Sequence, residues 1–106
     1  MHKHGGKVFV LGSGIGDFPW ENVQEATKTL PKGTFNLQDP PLRDSFYTRS
    51  DSNRNTWIVL RYKADQVGAW LLHCHVQTHL SGGMAVVLAD GVDQWTEMQE
   101  DWQRQT

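Results

Sequence analysis

Cysteine is almost absent: Cys74 stands alone in 106 residues, so no internal disulfide can brace the fold and the redox compartment leaves no trace. Long apolar runs are absent too. Without about 18 consecutive apolar residues no membrane-spanning helix is expected. The opening Met1-His2-Lys3-His4-Gly5-Gly6 also lacks the apolar centre of a signal peptide. A charge excess is missing as well: ten Lys and Arg face twelve Asp and Glu, for a net charge of -2, and the cations are scattered. No nucleic-acid partner is expected, because phosphate binding needs a concentrated positive field. Length sets the last bound, since 106 residues build one small domain and leave no room for a separate substrate domain.

What is present is unevenly spread. The five histidines fall into two groups, His2 and His4 at the start and His73, His75 and His79 around Cys74. Runs rich in β-branched and aromatic residues at 7–11, 57–62, 69–76 and 84–89 read as strands. Gly12-Ser13-Gly14-Ile15-Gly16 reads as a turn closing the first, with Gly68 and Gly82-Gly83 as further punctuation. The segment 17–56 holds Pro19, Pro31, Pro40 and Pro41 and is expected to form long loops with short strands at 34–37 and 45–48. No internal helix is expected. From Val92 onward, Trp95, Met98 and Trp102 recur every three or four residues among acids and glutamines, the pattern of a short C-terminal helix docked on the rest. The expected fold is an all-β Greek-key sandwich with a helical tail over 93–106.

The chemistry concentrates in His73-Cys74-His75-Val76-Gln77-Thr78-His79-Leu80-Ser81-Gly82-Gly83-Met84. Along a strand successive side chains alternate, so His73 and His75 emerge on one face and Cys74 on the other. On the Cys74 side, His79 and Met84 follow at the right distance for a glycine-loosened loop to return them to the sulfur. A thiolate, an imidazole and a weak thioether make most of a blue-copper site, which needs one further histidine. On the other face, two imidazoles one residue apart can each serve a different metal ion. Rival readings fit less well. A lone buried cysteine is usually a small hydrophobe. Structural zinc takes ligands from two short knuckles and has no use for methionine. A cysteine nucleophile needs a base converging on it, whereas adjacent strand residues point apart. Gly12-Ser13-Gly14-Ile15-Gly16-Asp17 imitates a dinucleotide-binding loop but has Asp17 at the sixth position and no βαβ unit.

The run from His73 to Met84 resembles the C-terminal copper signature of multicopper oxidases, the family of laccases, ascorbate oxidases and ferroxidases: His-Cys-His, three residues, His, four residues, then Met, Leu or Phe. Asp39-Pro40-Pro41-Leu42-Arg43-Asp44, Trp57-Ile58-Val59-Leu60-Arg61-Tyr62 and Gly68-Ala69-Trp70-Leu71-Leu72 are similar to the corresponding parts of fungal laccase-like members. The resemblance implies a cupredoxin (plastocyanin-like) domain over 1–92 that lacks its first strands. It implies Cys74 and His79 as type 1 copper ligands with Met84 axial, and His73 and His75 on the two type 3 coppers. Cys74, His73 and His75 together would form the electron path. Met1-His2-Lys3-His4-Gly5 resembles the end of the family's other C-terminal motif, His-Pro-x-His-x-His-Gly, making His2 a type 2 and His4 a type 3 ligand. The remaining type 1 histidine, three residues before His2, falls before the chain begins.

By the same resemblance the activity is oxidation of phenols, pigment precursors or metal ions coupled to reduction of O2 to water, in an extracellular or cell-wall setting. The family's cluster takes eight histidines, and this chain supplies His2, His4, His73 and His75. The expected partners are therefore N-terminal cupredoxin domains of the same oxidase, with O2 and a small reducing substrate, and the chain is expected to be inactive alone. A free-standing copper-binding or electron-transfer module without oxidase activity is the alternative.

Overall fold

The computed structural model describes residues 1–95. It is an all-β chain of two antiparallel three-stranded sheets with two short helices between strands. The elements are β1 (His2–Lys3), β2 (Val8–Ile15), α1 (Val23–Thr29), β3 (Leu42–Arg43), β4 (Thr56–Arg61), β5 (Gly68–His73), α2 (Gln77–Ser81) and β6 (Ala85–Asp90), followed by a 3-10 turn at Val92–Gln94. One sheet has the order β1-β5-β6 and the other β3-β2-β4. This is the architecture of a cupredoxin-like sandwich fragment. Its core is thin: Val8, Leu11, Ala26 and Cys74 are the buried apolar residues among those described. The accessible surface is 8133 Å², against roughly 6,000 Å² for a closed monomer of this size.

Four expectations need correction. The absence of internal helices is contradicted by α1 and α2. α1 begins where the Asn22 side chain accepts the Glu25 N–H at 2.9 Å and ends just before Pro31, a capping signal present in the sequence but hidden in a proline-rich stretch. The glycine-rich segment 12–16 is strand as far as Ile15, and the turn is confined to Gly16, with φ of 103°. Gly12 and Gly14 continue β2 because other groups lie on them: a Cβ would stand 2.6 Å from the Thr34 carbonyl at Gly12 and 2.3 Å from the Trp57 ring at Gly14. The register shifts between Val10 and Gly12, leaving Leu11 as the bulge. Finally, the strand expected over 69–76 ends at His73, because β5 loses its partner where β6 begins.

The short strands expected at 34–37 and 45–48 reduce to single bridges, Gly12 with Phe35 and His2 with Ser45; the extra strand is Leu42–Arg43 instead. Most of the expected helix over 93–106, with Met98 and Trp102, lies outside the described residues. Within them Trp95 is tied back by its indole N–H to the Asp90 carbonyl at 3.0 Å.

Candidate metal centre

Antiparallel pairing brings the two ends of the sequence together. In the β1–β5 ladder His2 is opposite His73 and Lys3 opposite Leu72, so a histidine near the start faces one some seventy positions later. Period-2 alternation puts His4 on the same face as His2. The three rings gather: their centroids are 4.9 Å apart for His2 and His4, 5.2 Å for His4 and His73, and 5.7 Å for His2 and His73. The His75 ring lies 6.0 Å from that of His73.

Backbone carbonyls orient these rings. A carbonyl can only accept, so the His73 Nδ1–H donates to the Cys74 carbonyl at 2.9 Å, and the His2 Nδ1–H donates to the Asp44 carbonyl at 2.8 Å with the Ser45 hydroxyl at 3.1 Å. In each ring Nδ1 thereby carries the proton and Nε2 the lone pair, the orientation common to metal-binding histidines. The Nε2 atoms of His4 and His73 face each other at 3.1 Å. That is less than twice the ~2.0 Å length of a metal–imidazole bond, so one ion can reach both. Beside them His2, Lys3, His4, Gly5, Gly6, Asp44 and Trp70 line a hollow of about 440 Å³.

Cys74 and His79 form a second group. The Cys74 Sγ lies 3.5 Å from His79 Nδ1. The loop that returns His79 is short and closed by backbone bonds: Leu80 N–H donates to the Val76 carbonyl at 2.9 Å, Met84 N–H to the His79 carbonyl at 3.0 Å, and Cys74 N–H to the Met84 carbonyl at 3.0 Å. The backbone of Met84 is thus stitched to both Cys74 and His79, and all three side chains line one hollow of about 490 Å³ together with Met1 and Val76. Sulfur and imidazole donors here, and imidazoles alone in the first group, are donor sets suited to copper.

The seven residues singled out from the sequence therefore fall into two groups, one of His2, His4, His73 and His75 and one of Cys74, His79 and Met84. Among the described residues no three of the His, Cys, Asp and Glu side chains converge on one point. The groups supply pairs of donors rather than full sets. Sequence reasoning missed Asp44 and Ser45 as anchors of His2, and missed the burial of Lys3. The first left no signal beyond the resemblance of 39–44, while the second was legible only as a cation alternating between histidines.

An antiparallel β-sandwich fragment with imidazoles on the adjoining strands β1 and β5 and a free thiol just past β5 is a cupredoxin-type protein. The chain belongs to the multicopper oxidase family, whose sequence profile matches residues 1–94, and copper is that family's cofactor. It is 59% identical to a multicopper oxidase of Phaeosphaeria nodorum over 94% of this chain and 16% of that one. It is 61% identical to a multicopper oxidase of Cercospora beticola over 92% of this chain and 16% of that one. Laccase 1 of Metarhizium album is 48% identical over 92% of this chain and 16% of its own. The chain thus spans about one sixth of the length of the curated relatives it matches. No solved structure matches it. Among the described residues no helix is long and apolar enough to cross a membrane.

Proposed function

We propose that this chain is the copper-binding C-terminal segment of an extracellular or cell-wall-associated laccase-like oxidase, and that it is inactive without N-terminal cupredoxin domains. The observation that carries this reading is the meeting of His4 and His73 Nε2 atoms one residue away from a thiol that faces His79. In the division of labour proposed, Cys74, His79 and Met84 would hold a type 1 copper, His2 a type 2 copper, and His4, His73 and His75 the type 3 pair. Bound copper would supply one-electron oxidation of a small donor, such as a phenol, a pigment precursor or a metal ion, and four-electron reduction of O2 to water.

The chain's own residues set the geometry for this. The Cys74 carbonyl orients the His73 ring while the Cys74 side chain serves the other site, so one peptide unit joins the thiolate to the cluster and offers a short covalent path between them. The Asp44 carbonyl and Ser45 hydroxyl do the same orienting for His2. Met1 lines the hollow of Cys74, His79 and Met84, which supports a histidine shortly before it in a longer chain as the further imidazole of that site.

The test is a chimera in which residues 1–106 replace the matching segment of the Phaeosphaeria nodorum oxidase, with oxygen uptake and copper content measured on one sample. Turnover is expected from the chimera and not from the 106-residue chain, and Cys74→Ser should abolish it by removing the soft ligand. Turnover by the short chain, or a fully active Cys74→Ser chimera, would sink the proposal.

A further inference from the structure

Lys3 closes β1 between His2 and His4, turned by alternation to the face opposite His2. It is 3% exposed. Its ammonium donates to the His4 carbonyl at 3.0 Å and to the Gly5 carbonyl at 3.4 Å, and lies 4.6 Å from the centre of the Tyr62 ring. The Tyr62 hydroxyl donates in turn to Asp90 Oδ1 at 3.2 Å, and Asp90 is itself buried. Among the described residues no carboxylate stands at ion-pair distance from the ammonium. Burying a cation without a counter-ion is costly, and an apolar side chain of similar volume would fill the space at no such cost. Stability alone disfavours a lysine here.

Its bonds go to the turn that presents His4. Gly5 and Gly6 follow with φ of 71° and 115°, and the Trp70 ring covers Gly5 so closely that a Cβ would lie 2.1 Å from it. The turn is therefore held by the indole over Gly5 and by the ammonium on its carbonyls, with the His4 N–H donating to the Leu71 carbonyl at 2.8 Å. We infer that Lys3 is a positioning residue for the histidine cluster: through the His4 and Gly5 carbonyls, braced on Tyr62, it aims the His4 imidazole at His73. Lys3 acts through His4 and touches no reacting group. The inference rests on the copper assignment proposed above.

The chimera tests it as wild type, Lys3→Met and Tyr62→Phe, with copper content, visible absorption and electron paramagnetic resonance recorded on each. Methionine keeps the bulk of the stem and removes the donors and the charge. The expected result for Lys3→Met is an undiminished blue type 1 band, showing a folded protein, with a roughly 10- to 100-fold weaker hold on copper at the His4–His73 position. That weakening reads as loss of the spin-coupled, resonance-silent pair. Tyr62→Phe leaves a ring under the ammonium and should keep the pair. An intact coupled pair in Lys3→Met overturns the inference alone, and so does joint loss of the pair and the blue band, which marks a role in folding. Absence of a coupled pair in the wild-type chimera removes the copper assignment and this inference with it.

Discussion

The sheet β3-β2-β4 is packed with its own residues. Trp57 on β4 stacks on Phe35 at 5.7 Å and meets Phe18 edge-on at 5.1 Å, with Trp20 beyond, and the bare backbone of Gly14 makes room for the indole. The sheet β1-β5-β6 ends differently, in imidazoles: the Nε2 atoms of His4 and His73 face one another, and the Nδ1–H groups of His2 and His73 donate to backbone carbonyls. One region gains stability from apolar contact inside the chain; the other, in the function proposed above, keeps its directional donors for copper. Removing a side chain should therefore act on stability in the first sheet and on metal binding in the second.

The largest effect that would sharpen this contrast is at His73. In the chimera, His73→Ala should reduce oxygen uptake by more than the roughly 100-fold that loss of an outer-shell partner brings, while the blue band from Cys74 persists. Loss of both together would show that the two donor groups are not separable. Next comes Trp57→Ala, which should lower unfolding stability by about 3 kcal/mol, the lower end for a large aromatic because Trp57 is only partly buried, and leave copper spectra unchanged. Chemical denaturation checks the first half and absorption the second. A changed copper spectrum would break the division between the sheets.

A smaller effect concerns Tyr62, where the two sheets approach. Burial, then the hydrogen bond from its hydroxyl to Asp90 and the Asp90 charge, raise its pKa above 10.0. A raised folded-state value means that its contribution to stability is fully present below pH 10.0 and is lost as pH rises through the folded value. Ultraviolet titration of the chain against Tyr62→Phe should show the difference signal appearing above pH 10.0. Ionisation below that pH would show that Tyr62 is not enclosed with Asp90.

Much of the cluster was legible locally. Strand alternation over 73–75 predicts His73 and Cys74 on opposite faces; β5 ends at His73, yet the structure still sets His73 against His4 and Cys74 against His79. That His2 and His4 join His73 was not legible from spacing, because it depends on an antiparallel register across the whole sequence; only the resemblance carried it. The helix α2 was hidden for another reason. Five residues are less than two turns, too few for a periodic pattern, and what closes the helix is the backbone bonding of Val76, His79 and Met84. The glycines of β2 misled because composition alone marks glycine as a turn, whereas here the Trp57 ring and the Thr34 carbonyl occupy the space of the missing side chains.

The central claim is that this chain holds half-sites completed by residues outside it. The most direct measurement is visible absorption during Cu(II) addition to the purified 106-residue chain, run beside the copper-loaded chimera. The account predicts an intense blue band in the chimera and no stable blue band in the chain, whose Cys74, His79 and Met84 lack a second imidazole. A stable, intense blue band from the chain alone would contradict it, since His2 or His4 would then have to leave the cluster and ligate beside Cys74.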